Sequence, residues 1–586
     1  MNLERNKDLS QIFKNMATIY KYLGKENRFK SLAYSKVAKV INALQEDISE
    51  YQKNNSLEDL PGVGEGIAKK IEEYIKTGKI EKYETLKKSS PGELLEMNDI
   101  TGFGTQSLKQ IHEDLNISTK KQLVKALQDG TIRKLKGFGD KKVENMLRGL
   151  KLHKEIEERM LLSDALEIGE GIVKRIKEIP NVKKVELAGS LRRKKETIGD
   201  FDVLLTCDEK DRKSVIDAIT ISTFAKKVIL KGNTKISIIH KSSDHQIDFR
   251  IVNEDEWGAA LQYFTGSKEH NIHLRKIAKE KGYKLSEYGI FSTDTEKKIA
   301  GKTEDEIYST LGFQFIPPEM REDLGEIELA SKHLIPKIVQ FDDLKGDLQI
   351  HTLDSDGLNT LEEIVNHVKS HFSYEYIVIT DHSKSLRIAN GMDEEKILKQ
   401  VEAIQLMNKK LGEEFVKSGI EVEILKNGDL DISDEVLSKL DWVTASIHTN
   451  FNQDTTDRII RACENPFVHC IGHPTGRLIG EREPYQINIE KVIEAAKRTK
   501  TALEINGQPN RLDLNDKLAM LAQKAGIKLV ISSDSHSLAN LNYIKLGVFV
   551  AQRAWCTKEN ILNTKSWADI KKFTKSHAKE MSAIIL

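Results

Sequence analysis

Disulfides are the first thing the sequence lacks. Only four cysteines occur in 586 residues (Cys207, Cys463, Cys470 and Cys556), and no two form a CxxC pair. Neither a disulfide framework nor a zinc finger is indicated. No apolar run approaches 18 residues, so no transmembrane helix is expected. The start, MNLERNKDLSQIFKN, is charged, lacks a long apolar core and does not read as a secretory signal. An excess of one charge is missing too: 91 Lys and Arg face 90 Asp and Glu, a net charge of +1. That excludes a globally basic nucleic-acid coat but leaves room for local basic surfaces. What is present is apolar material, 39% of the chain against 31% charged, enough for sizeable cores. Disorder, collagen and coiled coil are excluded as global descriptions. The length suggests about three to five domains. The expectation is a soluble, cytoplasmic, multidomain chain, monomeric by default.

Residues 1–150 read as helical, because stretches such as LSQIFKNMATIYKYL place apolar residues three and four apart. From about 182 the pattern shortens to VKKVELAGS, GDFDVLLTC, KISIIH and HQIDFRIV, the mark of an antiparallel or mixed sheet. PPEMREDLGEIELA (317–330) holds the only Pro-Pro, is acidic, and reads as a linker or docking segment. From 343 onward apolar strands alternate with helical stretches, which predicts a parallel α/β sheet or barrel.

One unit repeats three times: Gly62-Val63-Gly64, Gly102-Phe103-Gly104 and Gly137-Phe138-Gly139, each followed by a helical pattern. Glycines allow a tight turn and close approach, and the following helix offers free N–H groups and a positive dipole end. Together they suit a nucleic-acid backbone phosphate and read no base sequence. One copy alone would be a glycine-capped helix connection; three in one frame favour DNA binding. They resemble helix-hairpin-helix motifs.

GDFDVLL puts Asp200 and Asp202 at i and i+2, on one strand face, and HQIDFRIV offers Asp248. Three carboxylates on one face repel unless cations sit between them, and hard oxygen ligands favour Mg²⁺. Two such ions suit in-line phosphoryl transfer. Two isolated aspartates would more simply be a solvated polar face. Ahead of them stands Gly189-Ser190-Leu191-Arg192-Arg193, a turn plus arginines suited to a triphosphate.

The combined string GSLRRKKETIGDFDVLL, followed by YFTGSKEHNIHLRKIAKEKGYKLSEYGIF, resembles family X DNA polymerases, the DNA polymerase beta relatives, over 1–316. That resemblance implies a nucleotidyltransferase palm and thumb. Asp200 and Asp202 would bind both metals, and Asp248 the catalytic one, with Arg250 bridging the carboxylates. Gly189, Ser190 and Arg193 would hold the nucleotide's phosphates. Tyr263, Phe264 and Gly266 would lie against its sugar, Asn271 on the base's minor-groove edge, and Arg275 on the template strand. The N-terminal unit resembles the family's lyase domain, where Lys70 of GIAKKIEEY would be the Schiff-base nucleophile. Lys30 and Tyr34 match phosphate-pocket positions, but one lysine position of that pocket is Gly66 here. The plainer reading makes Lys69 and Lys70 surface contacts to DNA.

Nine of the 16 histidines follow residue 340, and several close apolar strands. In parallel α/β barrels functional groups gather at the C-terminal strand ends. Mixed His and carboxylate donors suit Mn²⁺, Zn²⁺ or Fe. The set resembles the PHP (polymerase and histidinol phosphatase) domain over about 343–575, which implies a distorted (β/α)7 barrel with a trinuclear metal centre. The implied ligands are Gln349, His351, Asp356, His382, Glu421, His448, His473, Asp534 and His536. Gln349 departs from the family, which has histidine there. Arg477 and Arg511 are candidate DNA-phosphate contacts.

The expected order is a helical lyase-like domain with helix-hairpin-helix (1–88), helical fingers with two further hairpins (89–152), palm (153–258), thumb (259–316), linker (317–342) and barrel (343–575). The expected activity is gap filling on gapped or primed DNA with dNTPs and Mg²⁺, joined to a 3′→5′ exonuclease using Mn²⁺ or Zn²⁺. A 3′-phosphatase or abasic-site endonuclease action would belong to the same centre. Three alternatives are a DNA end-binding scaffold with dead sites, a nuclease with a vestigial polymerase half, and a transferase acting on RNA or antibiotics. No membrane partner is expected.

Overall fold

The structure, a computed structural model, describes residues 4–574 apart from 43, 45, 89, 101, 158 and 452. Residues 1–3, 89 and 575, at edges of the expected domains, therefore lie outside it, as does Thr101 before the second hairpin. The first helix, Glu4–Leu23, buries Leu9, Phe13, Met16 and Tyr20, one stripe at helical spacing. A single hydrophobic cluster runs from Leu9 through Phe103 and Phe138 to Met146. The expected lyase-like and fingers regions thus share one core.

The next sheet has five strands in the order Lys184–Leu187, Phe201–Thr206, Gln246–Val252, Lys235–His240 and Ala225–Lys231. Its one parallel pair joins Phe201–Thr206 to Gln246–Val252 and sets Asp202 directly opposite Asp248. Phe201, Val203, Phe249 and Ile251 face a core shared with helices Leu162–Lys177 and Arg212–Thr220. On the other face Leu204 packs with Val252, Ala260 and Leu261, which seats helix Trp257–Thr265 beside the aspartates.

The acidic Pro-Pro stretch is not an open linker. Met320, Ile327, Ala330 and Ile338 join Ala259, Leu274 and Tyr308 in one core. Its charges look solvent-bound in sequence because their partners are remote. Arg321 is fully buried, 2.6 Å from Glu304, and lies over the rings of Tyr308 and Phe315. Glu326 is buried 2.6 Å from His270. Burial opposes ionising Glu304, but Arg321 and Arg192 outweigh it and hold the acid near 2.

The C-terminal sheet has seven parallel strands in chain order, from Gly346–Ile350 to Leu529–Ser532. A bridge between Ile350 and Ser535 brings its two edges together, so the barrel is nearly closed. Palm and barrel meet along a charged seam. Glu322 receives Arg193 from the palm (3.1 Å) and Arg553 from the barrel (3.0 Å). Arg553 also holds Asp516 at 2.7 Å. Arg553→Ala strands Asp516, leaves Glu322 to the palm cations alone, and is expected to cost about 3 kcal/mol in urea unfolding.

Candidate active sites

The three hairpins have one geometry. The first glycine of each takes a positive φ (+86° at Gly62, +93° at Gly102, +84° at Gly137), where a side chain would be strained. The middle residue, Val63, Phe103 or Phe138, is buried. The second glycine, Gly64, Gly104 or Gly139, directly precedes a helix and has open space around it. Each thus offers bare backbone N–H groups at a helix start.

At the palm, Gly189 (φ +60°) lies so close that an added Cβ would sit 2.3 Å from an Asp202 oxygen. The Gly189-Ser190 turn and the paired aspartates therefore form one site. Burial first, then the charges of Asp200 and Asp248, lift Asp202 from 3.8 to about 7. Asp200 stands one residue before the strand, at an exposed bend. Asp248 is instead held ionised, with Lys235 at 2.7 Å and Gln246 donating at 2.8 Å. A carboxyl raised by burial and by two acidic neighbours is chemically suited to bind divalent cations.

Because the folded value of Asp202 lies above the unfolded one, its stabilising effect is full below pH 4 and is lost as pH rises through 7. Asp202→Asn is therefore expected to stabilise metal-free protein more at pH 8 than at pH 5, by about 1 to 2 kcal/mol after discounting for solvent screening. Thermal unfolding in EDTA at the two pH values checks this.

The residues expected to meet a nucleotide lie on the Gly189 turn and on helices Trp257–Thr265 and Lys268–Glu280, with most donors already engaged. Arg193 donates to the Thr265 carbonyl (2.5 Å) and to Glu322, and its guanidinium lies against Gly266. Arg192 forks onto Glu304. Ser190 sits half-buried in the turn helix Gly189–Arg192. Tyr263 and Phe264 meet edge to face at 5.2 Å, and Arg250 lies over Phe264 at 4.9 Å. Asn271 is buried between Gln262 and the Tyr263 carbonyl, each at 2.7 Å. Exposed Arg275 donates to the Asn271 carbonyl at 3.2 Å. Lys70 donates to the carbonyl of Gly66 at 2.6 Å, and burial lowers its pKa. Tyr34 is a core ring, stacked on Phe13 and Tyr20.

At the barrel's strand ends Glu421 is the hub. Its oxygens lie 3.0 Å from His382, 3.1 Å from His473, 3.5 Å from His448 and 3.6 Å from His351. Asp356 lies 3.2 Å from His536 and 3.5 Å from His382, and Asp534 lies 3.1 Å from His351. Three overlapping donor groups result: His351, Asp356, His382 and His536; His382, Glu421 and His448; His351, Glu421 and Asp534. His382 Nδ1 meets Glu421, and Asp356 Oδ1 lies between His536 and His382, so each ligating atom faces another donor at close range. Imidazole nitrogens and carboxylate oxygens crowded within 4.8 Å of one another fit metal ions. Gln349 is buried, 3.5 Å from Asp534. His473 (φ +27°) and Asp534 (φ +51°) are held in left-handed backbone, strain of the kind stored at functional sites. Burial opposes charging His448 and His536, yet Glu421 lifts the first to about 10 and Asp356 the second to about 9. Burial and the nearby Arg511 charge depress His473 to about 4.

Sequence reading missed the supporting groups. Glu423 holds His448 Nδ1 at 2.9 Å; its i+2 spacing from Glu421 on one strand was the available signal. Asp381 ties Thr352, Ser355 and Gln400 into the loop carrying His351 and Asp356. Glu504, lifted to about 8 by burial and Asp534, accepts from the His473 amide at 2.5 Å. Arg477 is not a free DNA contact: it is buried, 2.7 Å from Glu196 of the palm. Arg511 keeps one buried N–H unpartnered beside this centre.

These parts define a class: a polymerase-beta-like palm, with helix-hairpin-helix and thumb, joined to a barrel with a multi-ligand metal centre. Comparison with known proteins agrees. Residues 4–80 match a helix-hairpin-helix domain, 159–252 a DNA polymerase beta palm and 260–322 a DNA polymerase beta thumb. The DNA polymerase/3′-5′ exonuclease PolX of Bacillus subtilis is 35% identical over 576 residues, 97% of this chain and 99% of that protein. DNA polymerase lambda of Arabidopsis thaliana is 25% identical over 54% of this chain and 62% of its own. A probable phosphatase of Caldicellulosiruptor bescii is 28% identical over 41% of this chain and 98% of its own. The chain belongs to the PolX family of family X DNA polymerases. No helix among the described residues is long and apolar enough to cross a membrane.

Proposed function

We infer that the chain is a template-directed DNA polymerase that fills short gaps during repair and also trims 3′ ends as a 3′→5′ exonuclease. The observation that carries the polymerase half is the register that pairs Asp202 with Asp248 beside the Gly189 turn. Asp200, Asp202 and Asp248 would hold Mg²⁺, which supplies Lewis-acid stabilisation of the attacking and leaving oxygens. Asp248 would accept the primer 3′-hydroxyl proton. Ser190 and Arg193 would bind the triphosphate tail, with Arg193 giving up Glu322 to do so. Tyr263, Phe264 and Gly266 would pack on the sugar and exclude water, while Asn271 and Arg275 would meet the base and template. The hairpin glycines would grip backbone on either side of a gap. The six-part domain division is proposed as expected from sequence, with 317–342 packed as part of the thumb core.

At the barrel, the eight histidine and carboxylate positions would hold up to three Mn²⁺ or Zn²⁺ ions, with Gln349 a weaker oxygen donor. Those ions would supply hydroxide and polarise the phosphodiester. Glu423 orients His448, and Arg511 offers a phosphate contact. Single-dNTP incorporation opposite each template base in a one-nucleotide gap tests template direction; equal use of all four nucleotides would refute it.

Lys70 is proposed as a lyase nucleophile, supported by its burial-lowered pKa. Borohydride is expected to trap a 5′-deoxyribose-phosphate end on wild type. Lys70→Ala should lower the trapped yield about 10²-fold.

A further inference from the structure

Palm and barrel enclose a cavity of about 330 Å³ at their seam. Five of its lining side chains are cationic: Arg159, Lys194 and Lys195 from the palm, Lys517 and Arg553 from the barrel. Only two are acidic, and both are already matched. Glu196 pairs with Arg477, and Asp516 with Arg553, each at 2.7 Å. The remaining cations have no such partner. Arg159 donates to the hydroxyl and carbonyl of Thr197, both neutral. Lys195 reaches only the shared Glu322, at 3.7 Å. Lys194 has its ammonium over the Phe549 ring at 4.8 Å and, like Lys517, pairs with no carboxylate within 4 Å among the described residues.

Two further observations mark this as more than a basic surface. Lys194 takes a left-handed backbone (φ +56°), a costly choice for a non-glycine residue, and is carried into the seam half-buried. Burial lowers its pKa, outweighing the pull of the more distant Glu319, Glu170 and Glu186. Cations that crowd a partly enclosed space repel one another and favour an anion between them. Ammonium and guanidinium groups converging from two domains match the several oxygens of a phosphate.

We propose that the seam cavity is a phosphate-anion site, separate from both metal centres, that takes a ligand with one or two phosphoryl groups. Its size admits pyrophosphate or a nucleoside monophosphate and excludes a duplex. On the functional reading above, which this assignment of source rests upon, those are the anions the two activities release: pyrophosphate by extension, a deoxynucleoside monophosphate by trimming. Lys194 and Lys195 follow Arg193 directly in sequence, and Arg553 of the lining donates to the Arg193 carbonyl at 2.7 Å, so the cavity lies next to a residue that would hold a triphosphate tail.

The test is calorimetric titration of the full chain in EDTA at low salt, with pyrophosphate and dTMP as separate probes. EDTA removes the metal centres as competing sites. One equivalent of at least one probe is expected to bind, and the tighter probe identifies the source. Lys517→Ala and Arg159→Gln, one on each domain, should each weaken binding about tenfold. Lys184→Ala, a palm cation over Trp257 and outside the cavity lining, should leave it unchanged. Circular dichroism melts establish that each variant is folded, and two variants on opposite walls guard against one failing. The proposal is overturned if neither probe binds, if both wall variants bind like wild type, or if Lys184→Ala weakens binding as much as they do. It is also overturned if gapped duplex displaces the probe with the same dependence on Lys517 and Arg159, because the site then belongs to DNA backbone. Titration in EDTA needs neither activity, so failure of the polymerase reading would show in primer assays alone.

Discussion

Asp202→Ala is expected to abolish primer extension, by about 10³-fold or more, while leaving 3′ shortening intact. The size of the effect follows from where the carboxylate stands. It is paired in register with Asp248, it is raised to about 7 by burial and by its two acidic neighbours, and the Gly189 turn presses on it. Removing it leaves Asp200 at an exposed bend and Asp248 already engaged by Lys235 and Gln246. No remaining side chain replaces it as the bridge between cations. The barrel's donor set is built from other strands, so trimming is not touched. Extension of a labelled primer, in excess dNTP and Mg²⁺, reads the loss. A drop of only a few-fold would place the catalytic carboxylates elsewhere.

Glu421→Gln is the mirror case: 3′ trimming should fall by about 10²-fold or more, with extension near wild type. The substitution keeps shape and removes charge. Glu421 is the one carboxylate shared by His351, His382, His448 and His473, and it belongs to two of the three donor groups. Its loss also withdraws the charge that lifts His448 to about 10, so that histidine should titrate lower. Manganese and zinc content after dialysis provides a second readout and should fall in Glu421→Gln but not in Asp202→Ala.

Much of this was legible in the residues because the signals are short-range. The strand signal of DFDVLL around Asp202, the repeated GxG units and the histidines at strand ends each report local geometry. The pairing of Asp202 with Asp248 needed only one correct strand match. What escaped depends on contacts between distant segments. Glu322 bridges Arg193 and Arg553 across separations of 129 and 231 residues, and nothing in the acidic Pro-Pro stretch signals either partner. For the same reason 317–342 looks like a linker in sequence, although Arg321 and Glu326 are buried against Glu304 and His270. Arg477 looks free until the palm's Glu196 is placed beside it. Asp200 shows the limit of a periodicity argument, since the strand begins one residue after it.

The central claim is that two independent metal-dependent sites on one chain act on the same 3′ terminus. The most direct measurement follows a 5′-labelled primer on a one-nucleotide-gapped duplex, with and without dNTPs, for wild type, Asp202→Ala, Glu421→Gln and the double variant. The account predicts that wild type extends the primer with dNTPs and shortens it without them. Asp202→Ala should only shorten, Glu421→Gln should only extend, and the double variant should do neither while still binding the duplex. Loss of both activities from either single substitution, in a variant that melts like wild type, would contradict it.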